Sequence, residues 1–371
     1  MQKLRKLGKI IDDLFIRQRS GKPLKKLLVF VIGNGIDPVN NIINDRILRS
    51  QVGKRSTTAR SFEAFKWRHF EYARYYTSTS LPSFAHCCIY KLVEAGLCHD
   101  VITTNYDMFL DTLWQRSPQL RVQQNPILET DEYSWEGYFS SKRSGIRYPR
   151  YWKIHGSLSH ICFGGWNGGP QHIHRLPRFA VSANDDSLAK KYRIRTQAPY
   201  MGFEMACYPR TRCANHADLT GRFRPYIDWT WKNDRIRFQR EIEAAKAVFR
   251  YPERIAAVLL IGFSGYYNND NPNDPWNEEL VPEIRNLRMN GFQNVYMAVH
   301  SAQVKRMNRH PYGLMRELAT EKQCWPYQIA GNFMADLLKD FSCRFPYDYA
   351  EAEYAKWKRC WYLPQGESSH V

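Results

Sequence analysis

Four short stretches of the chain collect residues that can do chemistry, and each follows an apolar run. After "LLVFVI" come Gly33, Asn34, Gly35, Ile36 and Asp37; after "DVI" come Thr103, Thr104, Asn105, Tyr106 and Asp107. After "YWKI" come His155, Gly156 and Ser157; after "IAAVLLI" come Gly262, Phe263, Ser264 and Gly265. In an open parallel sheet, ligands bind beyond the carboxyl ends of the strands. Four such ends bearing Gly, Ser, Thr, Asn, Asp or His therefore point to one shared site.

The chemistry follows from the residue types. Gly33 and Gly35 have no side chain to keep backbone N–H groups away from phosphate oxygens. The spacing lacks the third glycine of the G-x-G-x-x-G fingerprint, and a plain strand-ending turn fits the same residues. Asn105 offers both a donor and an acceptor, enough to orient a water or a sugar hydroxyl. His155 can serve as a general base or bind a ribose hydroxyl. The structural alternatives are an Asn that caps the helix "YDMFLDTLW" and a core His bonded to backbone.

The elements that position these residues can be read from hydropathy. Continuous apolar runs at 27–32 and 255–261, with "DVITT", "YWKIH" and "NVYMAVH", read as strands buried on both faces. Helical periods are expected near 61–76, 83–96, 233–249, 276–290 and 329–342. The alternation predicts an α/β, Rossmann-type, doubly wound and mostly parallel sheet. Residues 1–22 read as an N-terminal amphipathic helix, with Leu4, Leu7, Ile11, Leu14 and Phe15 on one face. Its default berth is the domain itself. The domain is expected over 23–345, with an inserted smaller lobe at about 160–240 that has no clear period. Residues 346–371 read as a C-terminal tail.

Composition narrows the class. In 371 residues, 43% are hydrophobic and 14% aromatic, which argues for a folded globular chain. The 54 Lys/Arg against 36 Asp/Glu leave a net charge of +18. Residues 171–240 alone hold 14 Lys/Arg against 6 Asp/Glu. That surplus suits a basic surface, most simply a solvated, partly ion-paired one, with direct nucleic-acid contact the less favoured reading. Nine scattered cysteines do not form a secreted disulfide framework. No apolar run approaches the ~20 residues that span a bilayer, so a cytoplasmic, reduced protein with no membrane partner is expected. His160, Cys162, Cys207, Cys213 and His216 are the nearest approach to a metal set; their spacing is irregular, no CxxC pair exists, and no metal is expected.

"VITTNYDMFLDTLW" and "WKIHGSL" resemble the paired signatures of sirtuin-like proteins, in the branch that includes bacterial anti-phage NAD hydrolases. "PSFAH" at 82–86 resembles the segment before the Asn-bearing motif, and "LLIGFSG" the family's later Gly-x-Ser strand end. The resemblance implies that His155 is the catalytic His and Asn105 the Asn that orients water or ribose. It implies that Gly33, Asn34, Gly35, Asp37, Thr103, Thr104, Asp107, Gly156, Gly262, Phe263 and Ser264 line the dinucleotide. The implied reaction is cleavage of NAD, as substrate, to nicotinamide and ADP-ribose.

Sirtuin deacetylases carry Gly-Ala-Gly-x-Ser at the first strand and a four-Cys zinc module after the His-Gly pair. Here Asn34 and Asp37 replace the Ala and Ser, and the Gly-Asn-Gly-x-Asp opening also resembles abortive-infection proteins of the AbiH type. Asp37 is expected to face a ribose hydroxyl or a backbone N–H, since a carboxylate is a poor neighbour for pyrophosphate. Without the zinc module, NAD-dependent deacylation is the second choice. A catalytically silent NAD- or nucleic-acid-binding subunit is the alternative from another class. An NAD-depleting enzyme must be restrained, so a homo-oligomer or a separate regulatory protein of ATPase or Argonaute type is expected. The N-terminal helix and the 171–240 segment are the candidate contact surfaces.

Overall fold

A computed structural model of the protein describes residues 2–36, 82–105, 109–110, 113, 123–124, 149–154, 156–164, 171–175, 178–179, 202–203, 223–227, 235–263, 280–301, 314–342 and 344–362. The expected helix at 61–76 lies outside these residues. In chain order the main elements are α1 (Gln2–Arg19), β1 (Leu27–Ile32), a 3-10 turn (Asn34–Ile36), α2 (Phe84–Glu94), β2 (Cys98–Thr103), β3 (Gln123–Gln124) and β4 (Arg150–Lys153). There follow β5 (Gly156–Gly164), β6 (Gln171–Arg175), β7 (Arg178–Phe179), β8 (Gly202–Phe203) and β9 (Phe223–Ile227). The chain continues through α3 (Arg235–Val248), β10 (Ile255–Ile261), α4 (Val281–Met289), β11 (Val295–His300), α5 (Leu314–Thr320) and β12 (Cys324–Tyr327). It closes with α6 (Ala330–Asp336), a π-helical turn (Leu337–Phe341) and α7 (Tyr347–Tyr362).

Seven strands form the main sheet, in the order β12-β11-β10-β1-β2-β4-β3. Every pairing in it is parallel. The chain runs outward from β1 through β2 to β4, returns across β1 to β10, and runs out the other way to β11 and β12. The direction of winding therefore switches between β1 and β10, the place where doubly wound sheets open a ligand crevice.

Burial explains why these runs are strands. Successive β side chains point to opposite faces, and the two hydrophobic cores divide the strands accordingly. Leu28, Phe30, Ile32, Leu259 and Ile261 join α1, α2, α6 and α7 in one core. Val29, Val31, Val258, Leu260 and Met297 join α3, α4 and α5 in the other. A strand buried on both sides has no polar face, which is why the sequence shows a continuous apolar run there instead of alternation.

The insertion is a distinct piece of β structure. β5, β6 and β9 form a three-stranded antiparallel sheet, and β7 pairs with β8. It begins at Gly156, four residues earlier than the sequence suggests.

α1 docks on its own domain. Leu7 and Ile11 are fully buried, and truncating either would cost about 2–5 kcal/mol. A Cβ on Gly8 would lie 1.9 Å from the Phe341 carbonyl oxygen, so glycine lets the helix rest on the π turn. The Asp12 carboxylate accepts from Ser342 Oγ at 2.7 Å and from the Arg344 N–H at 2.8 Å. The apolar face of α1 is thus spent within the chain and is not open to a partner.

The C-terminal end corrects the expectation of a tail from 346. Residues Tyr347–Tyr362 form α7, with Ala350 buried and the Phe84 ring edge-on to Tyr347 and Tyr354 at 5.8 and 5.6 Å.

Candidate functional site

The loops after β1 and β10 interlock at the switch point. The Gly33 N–H donates to the Ile261 carbonyl, and the Gly35 N–H to the Gly262 carbonyl, each at 3.0 Å. Gly262 adopts φ +64, and a Cβ there would sit 2.1 Å from the Ile36 nitrogen. A Cβ on Gly33 would approach the Gly262 carbonyl oxygen at 2.6 Å. These glycines are needed because two backbones touch. The Gly33 and Gly35 amides themselves are already bonded to the neighbouring strand end.

The Thr-Thr-Asn segment anchors to the same place. Thr103 Oγ1 donates to the Ile32 carbonyl at 3.3 Å and accepts from the Asn105 N–H at 3.0 Å. The Thr104 N–H and Oγ1 both donate to the Ile32 carbonyl, at 3.1 and 3.4 Å. The threonines thereby hold the end of β2 against the end of β1.

Asn105 lies at the same strand-end edge. It is 3% exposed, and its Nδ2 donates to the Gly33 carbonyl at 3.2 Å. Its Oδ1 is buried and has no hydrogen-bond partner among the described residues. An Asn that capped the following helix would use that oxygen to accept backbone N–H groups. Residues 106–108, whose N–H groups such a cap would bind, lie outside the described residues. A buried acceptor without a donor costs about 1–3 kcal/mol, and a water or a sugar hydroxyl would satisfy it.

The neighbouring strand ends complete the frame. β4 pairs with β2 through Thr103 and Lys153, and the Ile154 N–H donates to the Thr103 carbonyl at 3.1 Å. His155, the single residue between Ile154 and Gly156, lies outside the described residues, as do Asp37, Asp107 and Ser264. Gly156 opens β5, opposite Ile227. Asn34 starts the 3-10 turn. Phe263 is buried in the core beneath α3–α5, so its side chain serves packing.

One residue escaped the sequence. Tyr327, at the end of β12, donates its hydroxyl to the Gly35 carbonyl at 2.8 Å and is 6% exposed. Burial pushes its phenol well above the usual tyrosine range, so it stays a neutral donor. The "PSFAH" segment proves to be the start of α2. The His86 N–H donates to Ser83 Oγ at 3.4 Å, and the Ser83 N–H donates to His86 Nδ1 at 3.1 Å. The buried His86 ring lies 5.2 Å from that of Phe109, just beyond the Thr-Thr-Asn segment.

Away from this edge, Asp100 and Arg150 pair across β2 and β4, Oδ2 to Nη2 at 2.5 Å, and Trp152 Nε1 donates to Asp100 Oδ1 at 2.8 Å. His160 and Cys162 lie on β5, while Cys207, Cys213 and His216 fall outside the described residues. Among the described residues, no three His, Cys, Asp or Glu converge on a metal position, and no helix is long and apolar enough to cross a membrane.

No protein-family model matches the chain, and no curated protein matches it significantly. Solved structures do overlap it. One, described as "Structural Basis for the Mechanism and Regulation of Sir2 Enzymes", is 15% identical with a TM-score of 0.45, covering 92% of this chain and 98% of that one. "The Structural basis of Sirtuin Substrate Affinity" is 14% identical with a TM-score of 0.44, covering 85% and 93%. A Sir2 homolog–NAD complex is 13% identical with a TM-score of 0.41, covering 85% and 89%. The Rossmann-type assignment rests on the chain's own strand order: a parallel sheet whose switch point brings Gly33, Gly35, Asn105 and Gly262 to one edge.

Proposed function

We propose that the chain is a sirtuin-like NAD glycohydrolase that cleaves the nicotinamide–ribose bond, giving nicotinamide and ADP-ribose. The observation that carries this is Asn105, anchored to Gly33 through Nδ2 while its buried Oδ1 lacks a donor among the described residues. An acceptor so held orients a water or a ribose hydroxyl beside the anomeric carbon. As the C1′–N bond breaks, positive charge develops on the sugar, and fixed dipoles in a dry crevice stabilise it. Nicotinamide leaves as a neutral base with the bonding electrons. Water adds to C1′, and His155 takes its proton. Asp37, Asp107, Gly156 and Ser264 fall to the dinucleotide by the same resemblance.

NAD depletion suits an anti-phage, abortive-infection effector, restrained by self-assembly or by an ATPase or Argonaute-type partner. Size-exclusion with light scattering tests the restraint: a monomer that is active without any trigger would refute it.

The direct test is nicotinamide release from NAD by the wild type, with Asn105→Ala and His155→Ala alongside. Loss in both folded variants supports the site, and unchanged release refutes it. Turnover of an acyl-peptide to O-acyl-ADP-ribose would select the deacylase instead.

A further inference from the structure

The first 26 residues carry nine Lys/Arg against two Asp/Glu. Arg5, Lys6, Lys9, Arg17, Arg19, Lys22, Lys25 and Lys26 are all exposed. Among the described residues none of these eight has an ion-pair partner, and only Arg19 has an aromatic contact, over Phe15. Asp12, one of the two acids, is engaged by Ser342 and Arg344. The other, Asp13, is exposed among the cations.

These cations sit on a fixed element. At 100° per residue, Arg5, Lys6, Lys9 and Arg17 fall on the arc opposite Leu4, Leu7, Ile11 and Leu14, which are buried. The 18-residue helix is about 27 Å long, so the charges form a stripe and do not converge on one small anion. Because α1 is docked, its partner does not have to order a disordered arm.

We infer that the outer face of α1 and the loop to β1 bind the phosphate backbone of a nucleic acid. Three features select this partner. Duplex DNA carries a charge every ~1.7 Å along its axis, a linear array that a linear stripe of cations matches. A membrane-binding helix must insert its apolar face, and that of α1 is already buried in the domain. A stable protein interface needs an apolar centre, and Ile16, 49% exposed, is the helix's one exposed large hydrophobic residue. The inference does not depend on the NAD reading.

The test is fluorescence anisotropy of a labelled 20-base-pair duplex with the full chain. Four phosphate contacts give a slope of log K against log salt of about −3.6, near a 100-fold loss between 50 and 200 mM salt. Arg5→Glu with Lys9→Glu should weaken binding at least tenfold. Arg250→Glu with Arg316→Glu makes the same change in net charge at exposed positions on the opposite side of the sheet and should cost less than twofold. Thermal melting confirms that both pairs fold. Equal loss in the two pairs would overturn the inference, since only overall charge would then matter. Salt-insensitive or absent duplex binding would overturn it too, as would capture by anionic vesicles or poly-glutamate but not by DNA.

Discussion

Asn105 Nδ2 donates to the Gly33 carbonyl at 3.2 Å, a bond between residues 72 apart in sequence that closes the ends of β2 and β1 over one another. It fixes the amide plane, and so fixes where Oδ1 points. With one Nδ2 hydrogen committed to backbone, the side chain presents its Oδ1 acceptor in a fixed direction.

That asymmetry makes Asn105→Asp informative. The variant keeps the shape but removes the donor and sets a carboxylate against the Gly33 carbonyl oxygen. Nicotinamide release should fall by about 100-fold or more, the scale of losing one oriented group in a dry site. Circular dichroism would report the fold, and a folded Asn105→Asp protein releasing nicotinamide at the wild-type rate would remove Asn105 from the site.

Gly262→Ala tests the backbone contact between the two loops. The new Cβ would meet the Ile36 nitrogen at 2.1 Å and would have to tolerate φ +64. A left-handed non-glycine residue costs roughly 1–2 kcal/mol, and forced overpacking about 1–3 kcal/mol. Urea unfolding should show a loss of about 2–5 kcal/mol. A neutral result would mean that the loops are not packed this way.

Tyr327→Phe removes only a hydroxyl, leaving the Gly35 carbonyl without this donor. A buried acceptor left this way costs about 1–3 kcal/mol. Because Gly35 belongs to the crevice loop, KM for NAD should rise along with the loss of stability. A drop in stability with KM unchanged would confine Tyr327 to a structural role.

Much of this was legible in the sequence. The runs at 27–32 and 255–261 are apolar because both faces are buried, and the strand-end residues follow because a parallel sheet gathers one kind of end on one edge. The function of the glycines was not legible: a glycine that admits a ligand and one that admits another backbone look alike until the partner strand is known. β12 was missed because Cys324-Trp325-Pro326-Tyr327 is short, lies at the sheet edge and contains a proline, which an edge strand tolerates. α7 carried a signal, Tyr347, Ala350 and Tyr354 at helical spacing after Pro346, but its charged outer face made it look like a tail.

The Asp100 network should show itself in acid. Burial alone would raise the Asp100 carboxyl, but the Arg150 guanidinium and His99 outweigh it and hold the group well below the usual carboxylate range. The unfolded value is about 3.9. A depressed folded pKa gives stability that is complete above about pH 5 and lost as pH falls through 3.9 and below. Asp100→Asn also leaves Arg150 buried without its counter-charge, a change that typically costs about 3–5 kcal/mol near neutrality. Urea unfolding of both proteins from pH 7 to pH 3 should show the gap between them constant down to about pH 5 and narrowing below it, since Asp100 of the unfolded wild-type chain takes up a proton there that the folded state does not. A gap that stays constant to pH 3 would mean that folding does not lower the Asp100 pKa.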